Sequence, residues 1–289
     1  MADLPLLAQY LRARREQVSP AAVGLRPSGR RRTPGLRREE LATLAGVSID
    51  YLVRLEQGRD TNPSPAVLAA LATALQLTPR EHHHLVGLAA QTNNPGFCPG
   101  GTVAEPAVPS TVRALLERLE PGPAFVVGPY ADVLAWTPTW ERVAAPMGLL
   151  DDPLPNLARY VFTHPQAPSV YADWDAAADE QTSLLRGASL RWRDDNGFTA
   201  LLAELEAIPA FATRWSAHHV TDKRRGAKTL LHPDLGQLQI DYEALLLGDD
   251  SSQRLYAWLP ADAATAAAFD QGPTAIPVSP AQLRVVGER

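Results

Sequence analysis

The first ninety residues carry apolar side chains at helical spacing. Leu7, Leu11 and Val18 mark one face, Leu41, Leu44 and Ala45 a second, and Leu52 and Leu55 a third. Ser64-Pro65 reads as an N-cap with proline at the first helical position, opening a run with Leu68, Leu71 and Leu75 on one side. Thr78-Pro79-Arg80-Glu81 starts the same way, with Glu81 placed to complete a capping box ahead of Leu85 and Leu88. The pattern predicts five short helices in one all-helical module over 1–90. A Gly-, Pro- and Asn-rich stretch at 91–110 reads as a linker. Beyond it the period changes. "VRALLERLE" is an amphipathic helix, but "AFVVGPYADVLAW" predicts two short strands, Ala124–Val127 and Asp132–Trp136, turning at Gly128-Pro129. Helices are expected over Thr199–Glu206 and Ala210–Ala217, then strands in "HHVTD", "AKTLLH", "LGQLQIDYEALLL" and "QRLYAWL". This order predicts an α+β domain over 111–262 with one curved antiparallel sheet, followed by a tail at 263–289.

Composition narrows the class. At 289 residues, 45% hydrophobic and 20% charged, the chain fits a two-domain globular protein. It has no apolar run long enough to span a bilayer and no evident signal peptide. The single cysteine, Cys98, excludes an intrachain disulfide framework and fits a reducing cytoplasm. The net charge of −5 hides an asymmetry: residues 1–90 hold 12 Lys/Arg against 8 Asp/Glu, while the remainder holds 15 against 24. Six arginines fall between Arg26 and Arg38. A basic end on an acidic protein is the footprint of a polyanion contact, although a solvated basic loop has the same composition.

The stretch "LRREELATLAGVSIDYLVRLEQG" at 36–58 decides between them. Gly46 can take the left-handed conformation that ends one helix, Val47 anchors the turn, and Ser48 caps the next. That is helix-turn-helix geometry. With Leu52 and Leu55 inward, the opposite face shows Ile49, Asp50, Tyr51 and Arg54. Arg54 suits guanine, Asp50 suits the cytosine amine and Ile49 suits a thymine methyl. Asp50 is equally well placed to complement the helix dipole. These residues resemble the Xre/Cro class of helix-turn-helix regulators, the group containing the phage lambda and Cro-type repressors. The resemblance implies a lambda-repressor-like fold in which the helix after Gly-Val-Ser reads DNA. It implies that Arg38 touches a phosphate or braces the reader, and that Glu56 pairs with Arg15. The inserted "PSGRRRTPG" would set Arg30, Arg31 and Arg32 against the phosphate backbone.

The second half carries its own resemblance. "DVLAWTP", "NLARYVF", "YADWDAAADE", "FATRWSAHHV", "GAKTLLHPDLGQLQIDYEAL" and "QRLYAWLPA" occur in order. They look like the MmyB-like ligand-binding domain, a PAS-type sensor fused to Xre-type modules. Thr137, where that family commonly has Asn, and His219, where it commonly has Asp, depart from the pattern. The resemblance implies a PAS-like cavity for a small hydrophobic molecule, with fatty-acid-like ligands among the candidates, and support for a homodimer. Five of the six tryptophans fall in this half's proposed sheet and helices or flank them. Trp136, Tyr160, Phe162, Trp174, Phe211 and Trp215 are the candidate pocket aromatics, with Arg214 and His218 as polar anchors for an acidic head group. Each of these aromatics also suits plain core packing.

Other constellations add little. "HHH" at 82–84 reads as a surface run, since consecutive helical positions point apart. No phosphate loop, dinucleotide fingerprint or nucleophile elbow is present, so an enzyme is not expected, and no cofactor is assigned. The reading is a DNA-binding transcription regulator with a ligand-sensing PAS-like domain. The alternatives are a DNA-binding protein whose PAS-like half makes only protein contacts, or a haem or flavin sensor.

Overall fold

Side-chain caps start the N-terminal helices where the sequence places them. The computed structural model describes residues 4–25, 35–93, 107–192, 194–220, 224–247, 253–271 and 284–285. Within them α1 (Leu6–Gln17), α2 (Arg38–Ala45), α3 (Ile49–Glu56), α4 (Pro65–Ala74) and α5 (Pro79–Asn93) form the N-terminal domain. The Ser48 hydroxyl accepts from the Tyr51 amide at 3.2 Å, and Ser64 accepts from Val67 at 3.3 Å. Thr78 and Glu81 exchange bonds as a capping box. Gly46 ends α2 at φ 64° with open space around it, so backbone strain alone reserves that turn for glycine. Leu7, Leu11, Leu41, Leu52, Leu55 and Leu71 make the core. Leu44, expected to face inward, is 38% exposed, because the short α2 buries Leu41, Ala42 and Ala45 instead.

Glu56 ties three of these helices together. Its carboxylate is 2% exposed and accepts from Arg15 Nε at 2.6 Å and from Arg38 Nε at 2.6 Å. Arg15 also donates to the Leu36 carbonyl at 2.9 Å, and so fixes the segment that leads into α2. The pair expected between Glu56 and Arg15 is present, and Arg38 joins it.

The C-terminal domain begins with α6 (Ser110–Leu119). Strands β1 (Ala124–Val127), β2 (Val133–Trp136), β3 (Arg225–His232), β4 (Gly236–Leu247) and β5 (Gln253–Pro260) form an open antiparallel sheet in the order β3-β4-β5-β1-β2. The two-residue β6 (Arg284–Val285) adds at the β2 edge. On one sheet face Leu116 of α6 packs with Val126, Leu134 and Leu255. On the other, Phe125, Leu238, Ile240, Tyr256 and Trp258 meet a helical layer. That layer is α7 (Pro138–Ala144), α8 (Leu157–Thr163), α9 (Ala167–Val170), α10 (Trp174–Trp192), α11 (Asn196–Glu206) and α12 (Pro209–Ser216). The alternation in "LQIDY" is observed: Leu238, Ile240 and Tyr242 are buried and Gln239 and Asp241 exposed. The strand expected in "HHVTD" is not formed over 218–220, where the chain leaves α12 and His218 takes φ 55°; residues 221–223 lie outside the described set. Residues read as tail include α13 (Ala263–Gln271), which lays Phe269 into the core beside β4 and β5.

Replacing Glu56 by alanine strands the buried Arg15 charge. Glu56→Ala is expected to lower the unfolding free energy of the N-terminal domain by about 3 kcal/mol in urea denaturation. A loss within experimental error would remove Glu56 as the tie.

Candidate functional site

The outward face of α3 is set by what the helix buries and what it leaves out. Leu52, Leu55 and Glu56 turn inward, which leaves Ser48, Ile49, Asp50 and Arg54 exposed and Tyr51 half-buried. Ile49 is 46% exposed, a high value for a branched aliphatic side chain on a short helix. The Arg54 guanidinium lies 5.7 Å from the Tyr51 ring centre, a cation–π contact that supports its stem. Arg38 keeps a half-exposed side chain while its Nε is committed to Glu56. Arg30, Arg31 and Arg32 lie outside the described residues.

The candidate sensor aromatics fall in three places. Phe162, Trp174, Phe211 and Trp215 form one cluster: Phe162 meets Trp174 and Phe211 edge-on at 6.0 and 5.1 Å, and Phe211 stacks on Trp215 at 5.5 Å. Arg214 covers the Trp174 ring at 5.2 Å and pairs with Asp175 and Asp179 of α10. Its charge is therefore already answered by two carboxylates. Tyr160 donates to the Met147 carbonyl at 2.6 Å and borders a small recess of about 90 Å³ with Asn156, Arg159 and His164. Trp136 stands apart, beside Trp140 at 6.0 Å and donating to Glu141 at 3.3 Å. Thr137 is fully buried. It caps α7 at the Trp140 amide and donates to the Gly122 carbonyl.

His218 and the "HHH" run meet where the two domains touch. Tyr10 of α1 packs edge-on against His84 at 5.2 Å and His218 at 6.2 Å. Gln17 donates to the Ala217 carbonyl at 2.6 Å, and Arg14 donates to His219 Nδ1 at 3.2 Å while pairing with Glu81 at 3.0 Å. Arg186 of α10 lies flat over Trp215 at 3.3 Å and donates to its carbonyl. Leu190 of α10 packs on the N-terminal core at Gly87. His84, read from sequence as a surface residue, is 3% exposed, because the second domain covers it. A crevice of about 310 Å³ opens beside it, lined from α5, α10 and β5. No local sequence signal marks these residues, since partners such as Tyr10 and His218 are two hundred positions apart. Among the described residues no His, Cys, Asp or Glu cluster is arranged to hold a metal.

The seam holds His84 and His218 neutral. Burial first, then Arg186, pushes His84 down to about 3; burial, Arg186 and Arg14 push His218 down to about 4. A free histidine gains its proton near 6.5, so the seam's contribution is complete above that pH and is lost as pH falls toward 4. Acidification from about pH 7 to about pH 5 is expected to loosen the domains, read as faster proteolysis within 91–110. The variant His84→Phe, which keeps the ring contact without a proton site, should move that onset to lower pH. An unchanged onset would assign the response to carboxylates.

A helix-turn-helix domain family matches residues 6–85. The MmyB-like transcription regulator ligand binding domain matches residues 108–271. A comparison with curated proteins gives no match. Both matched families are regulatory, one binding DNA and one binding ligand, and neither is a family of enzymes. With more than half of its length covered by the second match, the chain belongs to the MmyB-like transcription regulators, its ligand-binding domain joined to an N-terminal helix-turn-helix domain.

Proposed function

We propose that this regulator is of the Xre type, acts in the cytoplasm, reads its operator with α3, and alters that reading when its PAS-like domain takes up a small hydrophobic ligand, fatty-acid-like in character. The observation that carries the DNA reading is the outward set Ile49, Asp50 and Arg54 on a helix locked from behind by Glu56. Arg54 reads a base edge, and Ser48, Tyr51 and Arg38 position the helix on the backbone together with Arg30, Arg31 and Arg32. In the sensor, the aromatic cluster that includes Phe211 and Trp215 reaches the seam through Arg186, and the seam reaches α3 through Tyr10, Arg14 and Arg15 of α1. A ligand that favours one packing of α12 over another would bias the angle of the reader. The bias is limited by the ligand's differential affinity for the two packings.

The active form is a homodimer. Support comes from the sheet face that α6 covers only in part, where Leu115, Leu245 and Leu259 are exposed. Leu245 stands opposite Leu255 in the β4–β5 ladder, and so on the side that α6 packs. A second copy laid on this face would give a two-fold dimer, and a two-fold pair of readers suits half-sites about one helical turn apart. Leu245→Glu should shift the sedimenting species from dimer to monomer; a monomeric wild type would overturn the dimer.

On a mapped operator, Arg54→Ala is expected to relax base preference at one position by about 1–3 kcal/mol. Arg31→Ala should weaken binding to all sequences alike and flatten the salt dependence. If Arg54→Ala leaves both affinity and preference unchanged, α3 is not the reader. Native mass spectrometry followed by denaturing extraction tests the ligand: a stoichiometric acid or lipid supports the sensor, and a chromophore would replace it with the haem or flavin reading.

A further inference from the structure

Arg54 stands apart from the arginines of α1 and α2. Arg12, Arg14, Arg15 and Arg38 each meet a carboxylate, at 3.1, 3.0, 2.6 and 2.6 Å. Arg54 is exposed, and among the described residues its guanidinium meets no acid and makes no hydrogen bond. What it does meet is the face of Tyr51, with 5.7 Å from the guanidinium carbon to the ring centre. The two residues are three positions apart on α3, and so lie on one side of the helix.

Both ends of this contact are fixed. Tyr51 is half-buried against the core of the N-terminal domain, and its amide is held by the Ser48 hydroxyl at 3.2 Å. The Arg54 carbonyl accepts from the Arg59 and Asp60 amides at 2.9 and 3.3 Å, where α3 ends. Between a held backbone and a held ring lies a stem rich in rotamers, which the ring restrains. A ring engages a guanidinium through its face. The in-plane N–H groups stay open, and these are the donors that grip guanine O6 and N7 as a fork. A carboxylate partner would order the side chain equally well but would occupy those same N–H groups.

We propose that Tyr51 is the positioning residue for base reading: its ring holds Arg54 in the pose that faces a guanine, and so sets how strongly that base is preferred. The proposal rests on the reading of α3 given above and deepens it by naming the residue that presents Arg54. Non-specific affinity comes from phosphate contacts, which an unrestrained Arg54 reaches equally well. The ring therefore acts on preference and not on overall affinity.

The test uses the full chain on three duplexes. One is an operator selected from random sequences by the wild type, the second has its Arg54-dependent G·C pair exchanged for A·T, and the third is unrelated. Tyr51→Leu and Tyr51→Met remove the ring while keeping an apolar side chain on the core. Each is expected to lower the preference for the G·C pair by about two- to fivefold, the size of an exposed cation–π contact, with the unrelated duplex and the salt slope unchanged. Tyr51→Phe keeps the face and should keep the preference, even if loss of the hydroxyl weakens every duplex alike. In an Arg54→Ala background, Tyr51→Leu should have no further effect on preference. Thermal unfolding checks that each variant is folded. If Arg54→Ala loses the preference but neither ring-free variant does, the role of Tyr51 is overturned and α3 remains the reader. The role is equally overturned if Tyr51→Phe loses as much preference as Tyr51→Leu, or if the ring-free variants weaken all three duplexes alike. If Arg54→Ala itself leaves preference unchanged, α3 is not the reader and both readings fall.

Discussion

A single buried carboxylate organises the DNA-reading half of the molecule. Glu56 is the inner end of α3, and it has left water only because two guanidinium groups meet it. A lone charge at that depth would be prohibitive, and the group is tolerated because Glu56 accepts from both guanidinium groups and Arg15 also donates to the Leu36 carbonyl. The geometry that results is specific. Arg15 holds α3 against α1 and, through Leu36, fixes where the chain enters α2. Arg38 closes the same carboxylate from the start of α2. Leu52 and Leu55 supply the burial, but apolar contacts permit rotation that a bridged carboxylate does not. The exposed row on α3 faces outward because the opposite row is pinned.

From that junction the structure runs without a break into the sensor. α1 carries Arg15 toward α3 and carries Tyr10, Arg14 and Gln17 toward the second domain, so one helix serves both contacts. On the far side the seam is received by the end of α12 and by Arg186, which lies flat on Trp215. Such an interface is polar and histidine-rich, and burial keeps two of its histidines, His84 and His218, neutral. It is better suited to two discrete dockings than to continuous deformation. Contact alone is not coupling; what the geometry supplies is that both contacts fall on the same element, α1.

The aromatic residues illustrate how burial and binding compete for the same side chains. Phe162, Trp174, Phe211 and Trp215 fill their own space and fix the helical layer to itself, as large rings in a core ordinarily do. Arg214, which in isolation resembles a head-group anchor, is occupied by Asp175 and Asp179. An open crevice lies instead where the two domains meet, with Arg80, Arg191 and Arg254 in its lining. Cavities form readily at such boundaries because neither domain's core packing controls them.

Local chemistry was sufficient for much of this. The Gly46 turn, the Ser48 and Ser64 caps, the Thr78–Glu81 box, the β1 and β4 strands and the outward set on α3 all follow from short-range spacing and propensity, which the folded chain did not need to override. Family resemblance placed Glu56 with Arg15, a pairing that spacing alone does not give. Tertiary structure decided the rest. Leu44 was left outside because the short α2 buries Leu41, Ala42 and Ala45, "HHV" became a helix exit and not a strand, and the stretch read as tail returned Phe269 to the core. His84 was buried beside Tyr10 of α1, with Arg186 and His218 of the second domain close enough to act on its charge. Sequence periodicity reports which face of an element avoids water, but not what covers it. The domain seam, made from positions some two hundred residues apart, exists only once both domains are folded and docked.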